Sequence, residues 1–186
     1  MAISLGEMLS VSGNSNHLGC FLADFEAAIK NNNEEGKSFT MAPNYYAWIC
    51  AASEHVFYSI REIMYLNTED DQVFDFAYTK LLNYIIENNS CNKEELESIL
   101  LFAKMRHLIV HKGFPNPHVV PSENEREIAK GHTFRKSEIE EMAVMLRNTN
   151  SFTSLYESHR CAIKAISSLQ KKTNYDFGIM QITNKC

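Results

Sequence analysis

Apolar residues recur at steps of three and four along most of this 186-residue chain, and only seven glycines and four prolines are present to interrupt them. That spacing lines up side chains on one face of an α-helix, and the scarcity of helix breakers leaves long windows for helices. Leu18, Phe21, Leu22, Phe25 and Ile29 make a first stripe, which the polar run from Asn31 to Gly36 stops. A second begins near Pro43, whose fixed φ suits a first helical turn. It carries Trp48, Ile49, Ala52, Val56, Ile60 and Ile63 to about Tyr65. Thr68, followed by Glu69, Asp70 and Asp71, is the expected cap of a third helix holding Val73, Phe74, Ala77, Leu81, Tyr84 and Ile85.

Asn92 with Glu95 forms a capping box that opens a fourth helix, running through Leu96 to Val110 and ended by Gly113 and Pro115. From 114 to 135 the polar composition and three prolines predict a loop, with one short helical turn between Glu123 and Lys130. Ser137 with Glu140 reads as a second capping box. Helical pattern follows it through Leu146 and then, beyond Asn148, Thr149 and Asn150, from Phe152 to Leu169. The tail 172–186 has no period. The whole predicts an all-α chain: one domain over 1–186, with a core of about 17–171, built as an antiparallel bundle of about five or six helices.

Composition narrows the function classes. No stretch approaches the run of about 18 apolar residues that a membrane helix needs, and the first residues lack a basic end followed by an apolar block. Cys20, Cys50, Cys91, Cys161 and Cys186 are odd in number, widely spaced and without a C-x-x-C pair, as expected of reduced thiols. A cytoplasmic protein without membrane contact is the expectation. A formal charge of −5 excludes a general positive field for coating nucleic acid, so contact with it must be local.

The fourth helix is apolar nearly all the way round, which predicts cover on most sides, by the rest of the bundle or by a second copy across a two-fold axis. Into it are set Lys104, Arg106, His107, His111 and Lys112. At about 100° per residue Lys104, His107 and His111 share an arc, while Arg106 lies about 140° from His111. Loosening of the last turn before Gly113 would bring Arg106 and His111 to one cleft. The two types are chemically complementary, since His exchanges a proton near neutral pH and Arg offers a permanent planar charge that grips phosphate oxygens.

The run Arg106-His107-Leu108-Ile109-Val110-His111 resembles the signature of HEPN domains, an Arg and a His four to six residues apart with a polar residue after the Arg. Its place near the end of a helix in an all-α chain is similar to that family, whose members are helical bundles that commonly dimerise. The resemblance implies a metal-independent endoribonuclease, with RNA as substrate and no cofactor. The RNA 2′-hydroxyl would attack the adjacent phosphate, with Arg106 stabilising the transition state and His111 as general base or acid. His107 would orient its neighbours or bind phosphate, Lys104 and Lys112 would add local positive charge, and two facing copies would make a composite homodimer site. It further implies a bacterial toxin or defence effector, held by a protein antitoxin or regulator. One departure is Gly113, which stands where many toxin members carry a Tyr two places after the His. An alternative is a catalytically silent HEPN-like module that binds RNA, nucleotides or a partner.

Plainer readings accompany each of these residues. Cations at a helix end are favoured by the last carbonyls alone. Arg126 and His132 repeat the bare spacing, but in the polar Pro-flanked segment. His107 and His111 could ligate a metal, with His118 as a candidate third group, yet no third ligand has a recognisable spacing. Glu54, on a small-residue stripe with Ala47, Cys50 and Ala51, would support the catalytic groups, or else bond Tyr58 or pair with another helix.

Overall fold

The computed structural model describes residues 19, 20, 22–24, 27, 42–88, 91–111, 125–147 and 151–169. Residues 19, 20, 22–24 and 27 are helical (α1). There follow α2 (Ala42–Thr68), a 3-10 turn (Asp71–Asp75), α3 (Tyr78–Glu87), α4 (Lys93–Arg106), a π turn (His107–His111), a hairpin of β1 (Glu125–Ala129) and β2 (His132–Arg135), α5 (Lys136–Arg147) and α6 (Phe152–Ser168). The fold is therefore an all-α bundle with one small two-stranded sheet. None of the described helices is long and apolar enough to cross a membrane.

The bundle is organised around α2, α4 and α6, each packed against the other two, with α3 laid against α2 and β1. Trp48, Ile49, Val56, Phe57, Ile60 and Ile63 of α2 are fully buried, as are Ile99, Phe102 and Met105 of α4 and Leu155, Ala165 and Ile166 of α6. Such a core derives its stability from apolar area removed from water. The chain's own helices cover α4, so its apolar girth needs no second copy to explain it.

The Asn92 cap forms as expected. Its side chain accepts from the Glu95 N–H while the Glu95 carboxylate accepts from the Asn92 N–H, satisfying two donors that would otherwise have no helical partner. Three other expectations are corrected. Thr68 does not cap the third helix; its hydroxyl donates back to the Met64 carbonyl in the last turn of α2. Glu69 then takes a left-handed φ of 54° and donates to the Tyr65 carbonyl, which closes α2. Asp70 caps only the 3-10 turn, and the chain is extended at Phe76 and Ala77 before α3 starts at Tyr78. Ser137 lies inside α5; the N–H of Arg135 bonds instead to the Glu138 carboxylate.

The largest correction concerns the segment expected to be a loop with a helical turn. Residues 125–135 form an antiparallel hairpin, turning at Lys130 and Gly131, with Gly131 at the positive φ of 77° that glycine adopts without strain. Arg126 pairs with Phe134, Glu127 with Thr133 and Ala129 with His132, with a bulge between Glu127 and Ala129. Ile128, Ala129 and Phe134 are buried, and the Lys130 N–H donates to the Asn83 side chain of α3. These contacts give a two-stranded unit, marginal alone, the cover it needs.

Two histidines sit deep in the core. His55 Nδ1 of α2 and His159 Nε2 of α6 are 3.1 Å apart, and the His159 ring meets the edges of Trp48 and Phe102. Burial pushes His55 down to about 4. Burial first, then the neighbouring His55, holds His159 well below the usual histidine range. Both rings are neutral at pH 7, one donating and the other accepting.

Candidate functional site

At the C-terminal end of α4 the structure gathers groups from α2, α3 and α4. Arg106 is the last residue of α4, and its Nε donates to Glu54 Oε1 of α2 at 2.6 Å. The same oxygen accepts the hydroxyl of Tyr78, the first residue of α3, at 2.9 Å. The Arg106 guanidinium also lies over the Tyr78 ring, 4.0 Å from its centroid. Phe57 packs against that ring at 3.9 Å, and the Arg61 guanidinium is 5.4 Å from it while donating to the Phe76 carbonyl. Glu54 thus does not bond Tyr58; it joins α2 to α3 and α4.

This arrangement fixes one edge of the guanidinium. A carboxylate on Nε and an aromatic face beneath hold the Arg106 plane in one orientation. Burial, then the Glu54 charge and hydrogen bond, push the Tyr78 phenol up to about 12, with Arg106 and Arg61 opposing. Tyr78 therefore stays a neutral donor at physiological pH. Burial and Glu54 also raise the Cys50 thiol, with Arg106 again opposing, which keeps that thiol protonated and a poor nucleophile.

Immediately after Arg106 the helix widens into the π turn His107–His111. Each hydrogen-bonded turn now closes over five residues instead of four. Two residues five apart, which stand about 140° from each other on an α-helix, come close to one full turn. The backbone of His111 ends this turn; its side chain, like Lys112 and His118, lies outside the described residues. His107 opens the turn and is buried, its ring edge toward Phe134 of β2 and its Nε2 3.5 Å from Nη1 of Arg126 on β1. Lys104 bonds Glu138 of α5 at 2.5 Å. Burial raises the Glu138 carboxyl, but the bonds from Lys104 and the Arg135 N–H outweigh it and bring the group below its usual value.

The structure thus brings together Arg106 with Glu54, and His107 with the hairpin, while Lys104 is turned to α5. Sequence reasoning passed over Tyr78 and Arg126. Tyr78 falls at helical spacing with Phe74, Leu81 and Ile85, so nothing in the sequence set it apart from a core residue. Arg126 was visible only as half of a second Arg and His pair, whose His132 faces Ala129 across the hairpin instead. No cluster of three or more His, Cys, Asp or Glu side chains able to hold a metal forms among the described residues. Comparison of the chain with protein-family models, with curated proteins and with solved structures finds no match.

Proposed function

We propose that this chain is a HEPN-like, metal-independent endoribonuclease whose working pair is Arg106 and His111. The observation that carries the reading is the π turn beginning directly after Arg106, because it alters the winding between the two positions that an α-helix would keep apart. Support comes also from the oriented guanidinium. With its Nε edge committed to Glu54, Arg106 is directed before substrate arrives, which is what electrostatic stabilisation of a transition state requires.

In the reaction the 2′-oxygen of a ribose attacks the adjacent phosphorus, its proton passing to a base. The bond to the 5′-oxygen breaks, and that oxygen takes a proton from an acid. The products are a 2′,3′-cyclic phosphate and a 5′-hydroxyl; DNA, lacking the 2′-hydroxyl, is not cut. Arg106 bears the charge that builds on the phosphate oxygens, and His111 transfers a proton. One histidine serves one of the two proton transfers, so a second copy of the chain facing the first would supply the other, as a homodimer with a composite site. A role as a cytoplasmic toxin or defence effector, checked by an antitoxin or regulator, extends the same reading.

The test is incubation of purified protein with mixed single-stranded RNA in excess chelator, beside the Arg106→Ala and His111→Ala variants. Cleavage by the native chain that both folded variants lose supports the reading. Absence of cleavage by the native chain refutes it and leaves a binding module.

A further inference from the structure

The cations at this end of α4 are not alike. Lys104 and Arg106 each hold a carboxylate, Glu138 and Glu54. Arg126 has no carboxylate partner among the described residues; its Nη1 lies 3.5 Å from the Nε2 of His107, next in sequence to Arg106. A guanidinium has only donors, so a lone pair of His107 Nε2 faces it.

Arg126 is also held in place. Its partner across the hairpin, Phe134, is fully buried against the His107 ring edge and near the Lys104 ammonium. The hairpin is pinned to α3 through Asn83 and to α4 through Glu138 and Lys104. Arg126 is exposed on this braced strand with one guanidinium nitrogen against the His107 ring, and its remaining donors suit phosphate oxygens.

We propose that Arg126, oriented by His107, forms a second anion subsite that takes a backbone phosphate beyond the one gripped by Arg106. This rests on the ribonuclease reading for its ligand, a single-stranded RNA chain. It makes His107 a positioning residue that holds the Arg126 guanidinium, leaves proton transfer to His111, and makes the hairpin part of the substrate path.

The probe is a single-stranded oligoribonucleotide carrying 2′-O-methyl groups, which binds but lacks the attacking hydroxyl. Its affinity is measured over a series of salt concentrations for the native chain, Arg126→Ala, Arg126→Lys and Lys130→Ala. Losing one phosphate contact to a single strand lowers the slope of log affinity against log salt by about 0.7. Arg126→Ala is expected to show that drop with about tenfold weaker binding at low salt, Arg126→Lys to recover part of it, and Lys130→Ala, an equal change of charge elsewhere on the hairpin, to match the native chain.

Equal losses in Arg126→Ala and Lys130→Ala would overturn the subsite in favour of a diffuse field, and no binding by the native chain would overturn it outright. Cleavage of unmodified RNA separates the two ideas. If the native chain cuts and Arg126→Ala keeps its KM, the subsite fails and the ribonuclease stands. If the native chain does not cut but the salt slope depends on Arg126, the ribonuclease fails and the subsite stands.

Discussion

Glu54 and His55 are neighbours on α2, yet they belong to different chemistry. His55 points into the bundle, where it meets His159 in surroundings dry enough to keep both rings neutral. Glu54 points to the end of α4, where its side chain stays one-third exposed and remains in an ion pair with Arg106. One residue step, about 100° of helix, thus separates a polar contact that serves the core from one suited to a ligand. The difference is water: burial removes the charge from the first pair, while partial exposure lets the second keep it. Buried polarity alone therefore does not mark a site.

The largest expected effect separates the two regions by readout. Arg106→Ala should lower RNA cleavage about a thousandfold, near 4 kcal/mol of transition-state stabilisation, while moving the thermal midpoint by only a few degrees. A core role for Arg106 would reverse that pattern.

Next comes pH. The unfolded chain protonates its histidines near 6.5, whereas folded His55 does so only near 4. Between those values the unfolded state binds more protons, so stability is greatest above about pH 7 and falls as the pH drops toward 4. His55 alone accounts for about 3 kcal/mol across that window. Thermal unfolding at pH 7.5 and pH 4.5 should show the loss, and a flat profile would place the pair in contact with water.

Smaller is the cost of breaking the pair from one side. His55→Leu should destabilise by about 2 kcal/mol by stranding His159 in the core, while the double change to His55→Leu and His159→Leu should recover most of that loss in denaturant titrations. Additive losses would deny the 3.1 Å contact its energetic meaning. The smallest concerns orientation. Glu54→Gln keeps a partner for Tyr78 but weakens the hold on Arg106, and kcat should fall about tenfold, ~1.4 kcal/mol, with KM nearly constant. Unchanged kcat would make Glu54 a brace between helices and nothing more.

Much of the bundle was legible because it is written locally. The stripe through Trp48, Val56 and Ile63 and the box of Asn92 with Glu95 need only spacings of three and four residues. The hairpin was not, because Ile128, Ala129 and Phe134 are too few to show a period of two, and their cover comes from elements distant in sequence. The break at Phe76 and Ala77 was hidden by apolar residues that fit a helix stripe and serve an extended link equally well. At the candidate site, Arg106 and Lys104 drew notice from an apolar helix that had no other reason to carry them. Glu54 is 52 residues from its partner, so only packing could pair them.

The π turn also sets a frame for the residues beyond it. A turn that closes over five residues holds one more than the turn it replaces, so His111 is out of phase by about 100° with the register that α4 keeps up to Arg106. Removing Ile109 would restore ordinary winding and turn His111 by about that angle relative to Arg106, while the apolar contacts of α4 up to Met105 stay where they are. Chain length at this point thus acts as a coordinate in its own right, able to reset the angle between Arg106 and His111.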